Sequence, residues 1–182
     1  MRDIYTWLIL AAVAAVGVIG LGLKKGTGNG MAQSFFTIDE LCKSNTAKAN
    51  GIDNTPSASV KKKLQALITN VLDPARAAYG APIYVHSGYR SPKVNALVGG
   101  VSNSQHLTGE AADIDTYNIA NNRRLFAIIV EQNNFDQIIW EGNGEWIHVS
   151  YKSKSENRHL IYAQVSGGYK NIKSNWRSYI GL

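Results

Sequence analysis

The chain has 182 residues, 45% of them apolar, and carries a formal charge of +6. That length and balance provide for one globular domain with extensions and a core that needs no covalent staples. A single cysteine, Cys42, excludes an intrachain disulfide and a thiolate zinc cluster.

The positive charge is uneven. Residues 152–182 hold six basic side chains and one acidic, interleaved with Tyr162, Tyr169, Trp176 and Tyr179, whereas residues 31–151 are close to neutral. Such a tail suits anionic cell-wall polymers or lipid head groups; nucleic acid is not the expected partner.

From Ile4 to Leu23 the chain runs 20 residues without a charge, and a helix of that length spans about 30 Å, the thickness of a bilayer's hydrocarbon core. Ala12-Val13-Ala14 has the form of a signal-peptide cleavage site, but the apolar run continues well past it, so an uncleaved transmembrane anchor is expected over residues 1–25. Lys24 and Lys25 on one flank, against Arg2 offset by Asp3 on the other, leave the orientation open. Residues 26–33 include GTGNG and read as a flexible linker, the globular domain covers 34–172, and 173–182 form a basic aromatic tail.

Within the domain, Thr37 and Glu40 have the spacing of a capping box. Thr55-Pro56 reads as a second helix start, with helical spacing from Val60 to Ala75, a kink at Pro74 and an end at Gly80. APIYVHSGYR predicts a short strand that delivers Tyr89 and Arg90 at its exit, where binding residues tend to sit. Ser91-Pro92 predicts a short helix through Val98, and AADID at 111–115 a buried strand with Asp113 and Asp115 on one face. Asn121–Asn133 reads as a helix, FDQIIW and EWIHVSY as a hairpin about Gly142-Asn143-Gly144, and HLIYAQV at 159–165 as a further strand.

The chemistry concentrates in SGYRSPKVNALVGGVSNSQHLTGEAADID, residues 87–115. His106 and Asp113 stand seven residues apart, and His148 follows in EWIHVS. Two imidazoles and one carboxylate form a ligand set for a catalytic zinc, since three protein ligands leave a fourth tetrahedral position open. The surrounding pattern S-x-H-x-x-G-x-A-x-D, filled by Ser104, His106, Gly109, Ala111 and Asp113, is far more specific than a lone histidine. Asp115 is available to orient a ligand. His86 and His159 fall outside the pattern.

SGYRS, SQHLTGEAAD and EWIHV resemble the zinc D-Ala-D-Ala carboxypeptidase family, which includes D,D-dipeptidases and phage L-alanyl-D-glutamate endopeptidases. The resemblance covers residues 34–172 and is closest to the small phage and prophage branch. It implies zinc bound by His106, Asp113 and His148, with Arg90 holding substrate or stabilising the transition state, and Tyr89 and Ser104 contacting substrate. It also implies hydrolysis of the stem peptide of bacterial peptidoglycan by a domain that faces the cell wall. The expected fold is α+β, hedgehog or D,D-peptidase-like, with a small mainly antiparallel sheet carrying the zinc site and helices on one side.

Two glutamates compete for the role of general base. Glu145 precedes His148 in E-x-x-H form and is ranked first by similarity to the D,D-dipeptidases. Glu141 ends the preceding strand, as in the phage branch. An odd offset of three places Glu145 opposite His148 unless a turn intervenes. A different class of function, a zinc-stabilised cell-wall-binding or virion module without activity, is the alternative.

Overall fold

The computed structural model describes residues 34–182, which form one compact unit. The expected Ile4–Leu23 anchor and the glycine-rich linker lie outside the described residues. Among the described residues no helix is long and apolar enough to cross a membrane.

Two short helices come first, α1 (Ile38–Cys42) and α2 (Asn45–Ala49). Thr37 caps α1 as its spacing predicts, its Oγ1 accepting the Glu40 N–H at 3.1 Å. The next helix, α3 (Ala58–Leu67), starts later than Thr55-Pro56 suggests. Ser57 is its cap, while the Thr55 N–H is taken by the Asp53 side chain. Where a kink is expected the helix carries one π turn, Ile68–Leu72, which separates α3 from α4 (Asp73–Tyr79). Pro74 offers no N–H and its ring crowds the carbonyl four residues back, which widens the turn just before it.

The remaining elements alternate strand and helix as far as β3 and then run as four successive strands: β1 (Tyr84–Ser87), α5 (Pro92–Leu97), β2 (Ala111–Asp115), α6 (Ile119–Gln132), β3 (Gln137–Glu141), β4 (Trp146–Ser150), β5 (Leu160–Val165), β6 (Gly168–Asn171) and α7 (Trp176–Ile180). Strand order in the sheet is β1-β2-β4-β3-β5-β6. The sheet is mixed rather than wholly antiparallel, because β5 runs parallel to β3. The chain leaves β4 beside the start of β3 and re-enters the sheet at that same end, where Leu160 N–H donates to Asp136 O at 3.0 Å.

Period-two alternation divides the sheet into two unlike faces. Ala112, Ile114, Ile138, Trp140, Ile147, Val149, Ile161 and Ala163 point into the core with Leu64, Leu67, Leu72, Leu125 and Phe126 from the helices. Asp113, Asp115, Glu141 and His148 point the other way. Burial of that apolar layer, at roughly 1.5–3 kcal/mol for each large side chain, fixes which face is free to carry chemistry.

Residues 173–182, read from sequence as a tail, carry α7. Ile180 is buried, Trp176 packs on Phe126 with ring centroids 6.0 Å apart, and Arg177 pairs with Glu131. The edge strand β6 and this helix were not signalled by the sequence pattern, since their apolar residues are few and interleaved with charge.

Candidate metal centre

His106 sits on a single 3-10 turn, Gln105–Thr108, that precedes β2. Ser104 caps that turn, its Oγ accepting the His106 N–H at 3.4 Å, and Gly109 ends it with φ +73°. A side chain at Gly109 would be strained there, and its Cβ would lie 2.7 Å from Val60 Cγ1. The fixed Ser and Gly of the pattern are therefore the start and stop of the turn that presents His106. Asp113 and His148 are directly paired across β2 and β4, so register alone makes their side chains neighbours on the open face.

The three side chains converge on one point. His106 Nε2 is 3.2 Å from His148 Nδ1 and 3.2 Å from Asp113 Oδ1, and His148 Nδ1 is 3.0 Å from the same oxygen. Metal–ligand bonds of about 2.0–2.1 Å give a tetrahedron with edges of about 3.3 Å, so these spacings fit three corners. The His106 Nδ1 lies 2.7 Å from Gly88 O. A proton on Nδ1 satisfies that carbonyl and leaves the Nε2 lone pair facing the other two donors, the arrangement that ligating histidines use. Burial alone would push the Asp113 carboxyl up, but the adjacent His106, and then His148, hold it well below the usual carboxylate range. The group is a ready anionic ligand.

Arg90 comes off the end of β1 and spends two donors locally, Nη2 to Asp113 Oδ2 at 2.5 Å and Nε to Ser87 Oγ at 2.7 Å. It thereby fixes the carboxylate oxygen that faces away from the histidines. Arg90 also lines an open cleft of about 1150 Å³. A further brace was invisible in the sequence. Asp136, fully buried, accepts from Arg158 Nε and Nη2 at 2.9 and 2.5 Å and from Gln105 Nε2 at 3.0 Å, so the residue beside His106 is tied to the base of β3 and the start of β5. Burial would raise the Asp136 carboxyl, but the Arg158 hydrogen bonds hold it below its ordinary value. No local motif marks a pair separated by 22 residues.

The predicted site residues do not all arrive. Tyr89 is buried in the core and does not line the cleft. Its amide donates to Leu41 O, and this packs the strand exit onto α1. Ser104 lines the cleft, with its hydroxyl engaged as the cap. Asp115 makes no bond to the triad and lies against His86, Nε2 to Oδ1 2.9 Å.

Both glutamates reach the cleft by different routes. Glu141 pairs with Trp146 two residues along from the Ile139–His148 pair, so it shares the face of His148 and stands diagonally from it. It is half-buried. Burial lifts its carboxyl above the ordinary value, with His148 and Arg90 pulling it down and Asp113 pushing it up. Glu145 is exposed. It precedes β4 in a helical conformation, φ −62° and ψ −36°, after the Gly142–Gly144 turn. The turn that its odd offset requires is present.

A one-sided α+β sheet whose open face gathers two imidazoles and a carboxylate defines a protein with a mononuclear metal site. Residues 34–150 match the family described as Peptidase M15, and the chain belongs to that family. It is also similar to the zinc D-Ala-D-Ala carboxypeptidase of Streptomyces albus G, 40% identical over 81 residues. That match covers 43% of this chain and 30% of the relative, so the chain aligns with less than a third of the curated protein's length.

Proposed function

We propose that this chain is a zinc-dependent peptidase that hydrolyses peptide bonds in the stem peptides of bacterial peptidoglycan. The observation that carries the reading is the 3.0–3.2 Å convergence of His106, Asp113 and His148, in a Peptidase M15 chain similar to a zinc carboxypeptidase. These three side chains would hold the metal. Zinc, when bound, polarises a carbonyl and lowers the pKa of a water molecule to about 7.

The protein's own groups supply the rest. Gly88 O and Arg90 hold His106 and Asp113 in ligating orientation, and the remaining Arg90 N–H groups are placed to meet the developing negative charge on a scissile carbonyl oxygen. Glu141 accepts the proton of the attacking water and returns it to the leaving amine. Support for Glu141 over Glu145 comes from its place on the same face as His148 and from its half-burial, which favours proton uptake. The sequence alone ranks the two the other way. A pure binding module has no use for a half-buried carboxylate and a guanidinium beside the triad.

The test uses the purified full-length chain on bacterial sacculi and on synthetic stem peptides, with zinc, after chelation, and after zinc is restored. New amino groups should appear with zinc, vanish with chelator and return. Cleavage at D-Ala-D-Ala or at L-Ala-D-Glu, read by mass spectrometry, assigns the bond. A zinc-loaded chain that leaves every substrate intact sinks the proposal. We further propose that Ile4–Leu23 anchors the chain in a membrane with this domain facing the wall, as the unbroken apolar run suggests.

A further inference from the structure

Asp115 is a second carboxylate on the open face of β2, and the proposed chemistry does not use it. Its side chain is only 7% exposed, it lines the cleft, and Oδ1 has no hydrogen-bond partner among the described residues. The only basic side chain within ion-pair distance of it among the described residues is His86, two residues along β1 from Tyr84, which pairs with Asp115, so strand alternation places His86 on the same open face. His86 Nε2 approaches to 2.9 Å without an N–H aligned on the oxygen, and its own side chain is 43% exposed. Tyr117 stands over this corner with φ 55°, its ring 4.5 Å from that of Tyr84 and 5.6 Å from that of His86. Tyr117 is 69% exposed, so an aromatic face is left open to the solvent side.

A buried carboxylate oxygen that accepts no hydrogen bond and faces a single, partly exposed histidine is costly unless a cation completes it. A carboxylate flanked by exposed aromatic rings is the combination that selects an alkylammonium over a hydrated metal ion, because the rings add cation–π attraction and shed water. We infer that the corner formed by Asp115, His86 and Tyr117 is a subsite for an ammonium group of the substrate. The inference rests on the peptidase reading for the identity of that substrate. Asp113 and Asp115 are two residues apart on one strand, about 6.5–7 Å, and an extended peptide advances about 3.3–3.6 Å per residue. The cation therefore sits roughly two backbone residues from the triad. Two sources share that chemistry: the side-chain amine of the diamino acid in the stem peptide, and a free peptide amino terminus.

A lysine-containing stem pentapeptide is prepared with both amines free, with either one acetylated, and with both acetylated. Each form is titrated calorimetrically into the full-length chain, metal-free and zinc-loaded, and its hydrolysis is followed on the loaded chain. One acetylation should weaken binding by about tenfold or more, as loss of a charged hydrogen bond does, and which one it is names the source. Asp115→Asn should weaken binding of the free-amine form by a similar factor and leave the acetylated form unchanged. Tyr117→Ala, which keeps the carboxylate, should show a smaller loss with the same selectivity and guards against a folding defect in Asp115→Asn. Equal effects of Asp115→Asn on all four peptides, indifference of the wild type to acetylation, or binding of none of them overturns the subsite. Selective binding without cleavage of any form would retain the subsite and refute the peptidase assignment instead.

Discussion

Replacing Glu141 by Gln tests the proposed chemistry at its most exposed point, because the substitution removes a proton acceptor and almost nothing else. In the sheet, the Glu141–Trp146 pair follows the Ile139–His148 pair, so Glu141 and His148 are diagonal neighbours on one face. Such neighbours have Cβ atoms within about 7–8 Å, which a glutamate side chain spans to reach the space in front of the triad. Neither Glu141 nor its amide replacement is one of the three converging donors, so zinc content should stay at one per chain. The turnover number should fall by about 10²–10⁴, the usual contribution of a general base, or about 2.7–5.5 kcal/mol in barrier height at 1.36 kcal/mol per decade. KM should move little. The assay pairs metal analysis with steady-state hydrolysis of a stem peptide, on Glu141→Gln and Glu145→Gln in parallel. Glu145 is exposed and precedes β4, and its replacement should cost less than about tenfold. Near-normal turnover in Glu141→Gln, together with a zinc-loaded but inactive Glu145→Gln, would refute the reasoning and return the role to Glu145.

His106→Ala, Asp113→Ala and His148→Ala should each reduce zinc occupancy after dialysis against a weak chelator; full occupancy in any of them removes that residue from the ligand set. Asp136→Asn leaves the Arg158 fork and the Gln105 amide without their anion and should lower stability by about 2–3 kcal/mol, moderated because Arg158 is half exposed and can hydrate. The folded-state pKa of Asp136 lies below its ordinary 3.8. Its contribution is thus fully present above about pH 4 and is lost as pH falls towards the folded value, so wild type and Asp136→Asn should converge in denaturant midpoint in acid and diverge at neutral pH. Gly88→Ala would place a Cβ 2.2 Å from the backbone oxygen of Leu41. It should cost at least about 2 kcal/mol and loosen zinc as well, since the Gly88 carbonyl orients His106; an unchanged melting temperature would contradict the packing. Deleting residues 1–25 should release the chain from a carbonate-washed membrane fraction, and a wholly soluble full-length chain would count against the anchor.

The grouping of His106, Asp113 and His148 was legible in the sequence because each part of the pattern around them answers to a local constraint. Ser104 and Gly109 start and stop one turn, Ala111 begins the buried strand that follows, and β-strand alternation puts Asp113 on one face. The hairpin carrying His148 was equally local, with glycine residues at its turn and apolar residues on its inner side. What lies between those segments was decided only in three dimensions. Register pairs Asp113 with His148 and turns Glu141 to the same face, and packing on α1 buries Tyr89, whereas in the sequence the resemblance had put Glu145 ahead and the expected strand exit had put Tyr89 at a cleft. The Asp136–Arg158–Gln105 brace, the parallel β5 and the packing of α7 join residues that no periodicity relates, because long-range contacts depend on where chain ends return in space and not on the composition between them. Local rules determined which side chains can ligate a metal; the sheet decided which of the remaining polar groups can reach it.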